Sequence, residues 1–251
     1  MKISMMGILA LMSLPLAAEP LNLAVASNFA APMQAIIKGF EEKTGQQVRM
    51  SLGASGKFVA QIHHGAPFDI FFSADQAKPL ALLEAGYGAP DTVETYAIGS
   101  LALWSANPNT DVQQQLQQAS FRKLALANPK LAPYGSAAVS VLQQLNLVDA
   151  TQSKWVQGEN IAQTFQFVQS GNAELGFVAL SQLIGKVQNA RNLWIIPTNL
   201  YPAIRQDRVV LKKSAQKPAV KAFLDHLQQA QPRQIITKHG YALPGEVKNA
   251  L

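Results

Sequence analysis

From Leu21 onward the chain alternates between short apolar runs and segments with helical periodicity, and that alternation constrains its fold more than any other feature. Residues 21–25, Leu-Asn-Leu-Ala-Val, alternate at period two, as a strand does. Pro32 suits the first turn of a helix, and Met33, Ile36, Ile37 and Phe40 then fall on one helical face before Gly45. The pattern predicts a strand over 48–52, a tight turn over 53–56, a helix over 58–63, a strand over 68–72 and a short helix over 79–85. The style then repeats. Residues 101–104 and 124–127 read as strands, and Ala138, Val141, Leu142 and Leu145 mark a helical face. Residues 176–180 read as a buried strand, and Val220, Phe223, Leu224 and Leu227 mark a late helix. Strands alternating with helices imply an α/β fold with mainly parallel sheets flanked by helices. No solenoid-length repeat is present. The length accommodates two lobes, with 95–101 and 208–211 as apolar segments that could cross between them.

Composition narrows the class. Hydrophobic residues make up 48% and charged residues 14%, which fits a folded globular chain. The formal net charge is +6, but the basic residues are scattered and their longest run is Lys212-Lys213. This reads as a solvated surface rather than a nucleic-acid footprint. The absence of cysteine excludes disulfides, thiolate metal sites, cysteine nucleophiles and a lipid anchor on an N-terminal cysteine. Lys2 is the only charge in the first 18 positions, residues 3–16 are largely apolar, and Leu16-Ala17-Ala18 offers a small-residue cleavage site. Residues 1–18 are therefore expected to be a removed signal peptide, too short and too early broken by Pro15 to serve as an anchor.

Signals for catalysis are weak. Adjacent His63 and His64 cannot both face one site from a helix or strand, and these two with His226 and His239 read as surface residues rather than metal ligands. Neither H-E-x-x-H nor G-x-S-x-G occurs. Gly53-Ala54-Ser55-Gly56-Lys57 fails as a nucleotide loop, because its glycines are too close and Phe58 stands where a hydroxyl should bind magnesium.

Four junctions carry small polar residues before a helix: Ser27-Asn28, Ser55-Gly56, Pro133-Tyr134-Gly135-Ser136 and Glu159-Asn160-Ile161. Each would place unpaired N–H groups and the positive end of a helix dipole together, which suits an oxyanion. Any one alone is adequately explained as an N-cap. Two junctions in each half of the chain fit a ligand held between two lobes at the carboxyl ends of strands. Glu159 is expected to turn away or pair with a cation, since its charge would repel an anion.

In sequence order, these junctions resemble the periplasmic molybdate-binding proteins of ABC importers, within the class II solute-binding family. The likeness spans the mature chain. It includes Ala26-Ser27-Asn28-Phe29, Gly53-Ala54-Ser55-Gly56, Gly65-Ala66-Pro67, Phe71-Phe72-Ser73-Ala74-Asp75 and Tyr96-Ala97-Ile98-Gly99. It continues through Asn128-Pro129, Ala132-Pro133-Tyr134-Gly135 and Gly176-Phe177-Val178-Ala179-Leu180. The resemblance implies a two-lobed class II periplasmic-binding-protein fold with a hinge. Lobe I would take residues 19–97 and 208–251, and lobe II residues 98–207. It implies ligand contacts from the Ser27 hydroxyl, from Asn28, from the Ser55 hydroxyl and N–H, and from the backbone N–H of Tyr134 and Ile161. The Tyr134 phenol is then expected to be dispensable. Ala179 cannot replace a tyrosine donor found in another branch, so Asn28 is expected to supply that bond. The implied function is periplasmic capture of molybdate or tungstate by a monomer, with delivery to an inner-membrane ABC permease and without a cofactor, a metal-cation ligand or nucleic acid. The alternatives are a binding protein for sulfate, phosphate or an organic anion, and a serine-dependent hydrolase, which would need a base near Ser27 or Ser55.

Overall fold

The computed structural model describes residues 19–187 and 190–245. The expected signal peptide, residues 1–18, lies outside the described residues. Among those described, the strands form two five-stranded sheets. The first contains β1 (Leu21–Ala26), β2 (Val48–Gly53), β3 (Ile70–Phe72), β4 (Glu94–Gly99) and β10 (Ile204–Val210). The second contains β5 (Leu101–Trp104), β6 (Leu124–Ala127), β7 (Trp155–Gly158), β8 (Leu175–Ala179) and β9 (Leu193–Ile195). Nine α-helices lie among the described residues: α1 (Ala30–Thr44), α2 (Ser55–His63), α3 (Ala77–Glu84), α4 (Val112–Gln117), α5 (Pro133–Gln144), α6 (Val148–Thr151), α7 (Ile161–Gln169), α8 (Pro218–Leu227) and α9 (Ala230–Lys238).

The two sheets are built alike. The first has the order β2-β1-β3-β10-β4, and the second β7-β6-β8-β5-β9. In the first, β1 pairs parallel with β2 and β3, and β10 pairs antiparallel with β3 and β4. In the second, β6 pairs parallel with β7 and β8, and β5 pairs antiparallel with β8 and β9. Both sheets are therefore mixed, which corrects the expectation of mainly parallel pairing. The physical reason is topological. The reversed strand in each sheet, β5 or β10, is the one by which the chain enters from the other lobe. It arrives without the helical crossover that a parallel neighbour requires.

Sheet membership changes between Gly99 and Leu101 on the outward path, and the chain returns at Ile204. The boundaries expected at 97/98 and 207/208 thus cut through β4 and β10. The segment 208–211 is not a crossing but continues along the first sheet.

Each sheet is packed on both faces. Leu23, Val25, Phe29, Met33, Ile36, Phe40, Phe72 and Phe223 form one core of the first lobe, while Phe58, Ile62, Phe71 and Leu82 fill its other face. Leu103, Leu126, Val141, Leu142 and Phe177 form the main core of the second lobe. Ala26 and Ala74 of the first lobe join that second core, so the lobes meet over apolar surface at their base. His63 and His64 are exposed, as expected of surface histidines. His226 is not: it is buried beside the Phe40 ring, and burial holds its pKa below the ordinary value of 6.5. Its helical face was legible from Phe223 and Leu227, but residue type alone suggested solvent.

Candidate functional site

The carboxyl ends of four parallel strands, two per sheet, converge at the cleft. β1 runs into a short 3-10 turn, Ser27–Phe29, before α1. β2 leads directly through Ala54 into α2, whose first residue is Ser55. β6 leads into α5, which opens with Pro133-Tyr134, and β7 leads through Asn160 into α7, which opens with Ile161. Ser27, Asn28, Ser55, Tyr134 and Ile161 all line one cavity, together with Ala26, Gly53, Ala54, Ala74, Ala132, Pro133 and Asn160. The structure thus brings together the five expected contact residues, while Gly56, Gly135, Ser136 and Glu159 of the same junctions lie outside the cavity lining.

The ordinary N-cap explanation is met at only one junction. Asn160 Oδ1 accepts from the N–H of Ala162 at 2.9 Å and of Gln163 at 3.1 Å, and so caps α7. No side-chain cap bond is made at the start of α1, α2 or α5. Ser55, Tyr134 and Ile161 are the first or second residues of their helices, so their N–H groups have no acceptor in the same helix. They point with the positive helix ends toward a cavity whose lining carries no formal charge.

The hydroxyls are oriented by their own partners. Ser55 Oγ accepts from the Ala74 N–H at 3.0 Å, which occupies a lone pair and leaves its proton available. Ser27 Oγ donates to Asn160 Oδ1 at 3.2 Å, linking the lobes across the cavity. Among the described residues, neither serine is hydrogen-bonded to a histidine or carboxylate. Two more links cross the cleft mouth: the Gly56 N–H donates to the Leu131 carbonyl at 3.0 Å, and Lys57 pairs with Glu159 at 2.7 Å. Glu159 therefore has the cationic partner expected of it, at a solvent-exposed position.

Two expectations change. The Asn28 amide is not simply held out to a ligand. Its Nδ2 donates to Gln206 Oε1 at 2.9 Å and to the Tyr241 hydroxyl at 3.0 Å, while its Oδ1 is buried without a partner among the described residues. The Tyr134 phenol is not idle either. It is buried, and its oxygen accepts from Gln206 Nε2 at 3.2 Å. The ring passes over Gly99, where a Cβ would sit 2.1 Å from the phenol oxygen. Sequence spacing gave no sign of Gln206, Tyr241 or Ser181. Ser181 Oγ donates to the Asn28 carbonyl at 3.0 Å, and the Tyr241 hydroxyl donates to the same carbonyl at 2.7 Å. Burial raises the pKa of Tyr134 and Tyr96 well above 10 and pushes Tyr241 up to about 12, so these phenols add no negative charge beside the cavity. Ala179 does not line the cavity; its N–H donates to Gln182 Oε1 at 3.0 Å.

The cavity is small, about 10 Å³. Its two walls belong to different lobes.

Comparison with known proteins gives this arrangement a lineage. The family model described as bacterial extracellular solute-binding protein matches residues 21–242. The molybdate-binding protein ModA of Azotobacter vinelandii is 46% identical over 230 residues, covering 90% of this chain and 91% of that protein. ModA of Rhodobacter capsulatus is 43% identical over 231 residues, covering 92% and 91%. The solved Azotobacter vinelandii periplasmic molybdate-binding protein superposes with a TM-score of 0.83 at 37% identity, covering 89% of this chain and 99% of that one. With its two mixed-sheet lobes and its cleft between them, the chain belongs to the bacterial extracellular solute-binding protein family.

Proposed function

We propose that this protein captures molybdate or tungstate between its lobes in the periplasm and delivers it to an inner-membrane ABC permease. The observation that carries the reading is the convergence of four helix starts, three without a side-chain cap, on a cavity lined without formal charge. Such a site supplies N–H and O–H donors and neutralises a dianion by directed dipoles. The Ser27 and Ser55 hydroxyls, the N–H groups of Ser55, Tyr134 and Ile161, and the Asn28 amide are the donors of this reading. Ser27 would exchange its bond to Asn160 for one to the anion. A protonated oxyanion such as hydrogen phosphate needs an acceptor and is disfavoured by a donor-only ring. Sulfate is disfavoured by size, since donors spaced for a larger anion reach it through longer bonds.

Capture follows from the topology. The two lobes would part about the strand crossings near 99–101 and 201–204, admit the anion and close on it. Residues 1–18 would direct export and be removed from the mature chain. The relatives named above, which bear the name molybdate-binding protein, support the ligand class. Native mass spectrometry of the mature chain, stripped of ligand and then given molybdate, tests the reading. One anion per chain is the expected result; an unchanged mass would contradict it.

A further inference from the structure

The base of the cleft holds a buried polar network that the anion site alone does not explain. Gln206, fully buried on β10, has its Oε1 against Asn28 Nδ2 at 2.9 Å and the Tyr96 hydroxyl at 3.1 Å, and its Nε2 against the Tyr134 hydroxyl at 3.2 Å. Gln206 therefore touches a cavity residue from each lobe. In this arrangement the Asn28 amide turns both of its donors away from any ligand and leaves Oδ1, an acceptor, buried and unpartnered. An orphaned acceptor is costly, and one facing an anion more so.

The two ends of an amide are nearly identical in shape, and their orientation is decided by the surrounding bonds. If Asn28 and Gln206 both turn over, Gln206 Nε2 donates to Asn28 Oδ1 and to the Tyr96 oxygen, whose own proton goes to the Ser73 carbonyl 2.9 Å away. Gln206 Oε1 then accepts the Tyr134 proton. The Tyr241 hydroxyl can donate to Asn28 Oδ1, while Ser181 Oγ continues to serve the Asn28 carbonyl. The orphaned atom becomes an NH₂ group with two donors and no protein partner. The turned-over pair offers two donors to an anion in the cavity; the arrangement described above offers an unpartnered acceptor.

We propose that Gln206 is a positioning residue that sets which end of the Asn28 amide faces the cavity, and that anion binding turns the two amides over together. This rests on the anion-site reading and sharpens it, since Gln206 would decide whether Asn28 accepts or donates there.

The test is a double-mutant cycle by titration with molybdate, using the near-isosteric Gln206→Met in the wild-type and Asn28→Ala backgrounds. Gln206→Met is expected to weaken binding about tenfold with Asn28 present and no more than about twofold in Asn28→Ala. Equal penalties in both backgrounds, with wild-type binding intact, would overturn the positioning role and leave the anion site standing. A wild-type protein that binds no molybdate would instead remove the anion site and this inference with it. A second measurement needs no variant: the side-chain amide signals of Asn28 and Gln206 in ¹⁵N spectra should both move on adding molybdate. If both stay in place while the Ser55 and Tyr134 backbone amides shift, the turnover is wrong.

Discussion

The two lobes contribute to the cavity by different means. The first offers side chains: the Ser27 and Ser55 hydroxyls and the Asn28 amide. The second offers backbone: the starts of α5 and α7 at Tyr134 and Ile161, with Asn160 as the one side-chain cap. A hydroxyl can be removed by one substitution, whereas an N–H persists whatever side chain it carries. The second lobe should thus tolerate changes of side chain at its donors but not changes that move its backbone. The first lobe, whose one backbone donor is the Ser55 N–H, should be sensitive to loss of a side chain as well.

Gly135→Ala attacks the second lobe where it should be weakest. A Cβ there would lie 2.1 Å from the Ala127 carbonyl oxygen, so the start of α5 must shift away from β6. We expect a loss of about 3 kcal/mol in unfolding free energy, read by denaturant titration, and loss of molybdate binding in the fraction that folds. Unchanged stability would mean that the α5 backbone is not held as tightly as the geometry indicates. Ser55→Ala attacks the first lobe. It should weaken molybdate binding by about 1–3 kcal/mol, the scale of one charge-assisted bond, and cost about 1 kcal/mol of stability because the buried Ala74 N–H loses its acceptor. An unaltered affinity would remove Ser55 from the donor set.

Tyr134→Phe blurs the contrast between lobes. Its N–H is untouched, but Gln206 Nε2 loses a buried partner. A stability loss of about 1 kcal/mol is expected, with a smaller effect on affinity than Ser55→Ala. A larger effect on affinity would show the phenol acting on the anion itself. Ile161→Val is the mildest test. The buried side chain should cost about 0.5–1.5 kcal/mol of stability, while affinity stays within twofold, as a backbone donor requires.

A separate check concerns His226, which lies in the first lobe's core, away from the cavity. Its folded pKa is lowered from 6.5, so the unfolded chain binds the proton more readily. Its contribution to stability is present above about pH 6.5 and is lost as pH falls through the folded value. His226→Phe should therefore flatten the fall in stability between pH 7 and pH 5, measured by thermal unfolding; an unchanged slope would assign that fall to other groups.

Much of this architecture was legible in the residues. The short apolar runs at 101–104 and 124–127 are β5 and β6, with the same ends. The runs at 68–72 and 176–180 were right in kind but misplaced at their edges, because apolar residues flank the strands. The tight turn expected over 53–56 is cut short by α2, which already begins at Ser55. Reversal of β5 and β10 was not readable, since strand direction depends on where the chain returns rather than on local pattern. The four junctions were readable because small polar residues before a helix leave a local signature, whereas Tyr134 and Ile161 as contacts came only from the family resemblance. Gln206 was not, because it meets Asn28 across 178 residues and Tyr134 across 72, and nothing local to a buried strand glutamine names its partner.

The most direct test of the central claim is isothermal titration of the ligand-stripped mature protein with molybdate, tungstate, sulfate and phosphate in turn. Tight one-to-one binding of molybdate and tungstate, with sulfate and phosphate silent, is the predicted result. Sulfate or phosphate binding as well or better would contradict the size and donor filter, and no binding by any oxyanion would contradict the site itself.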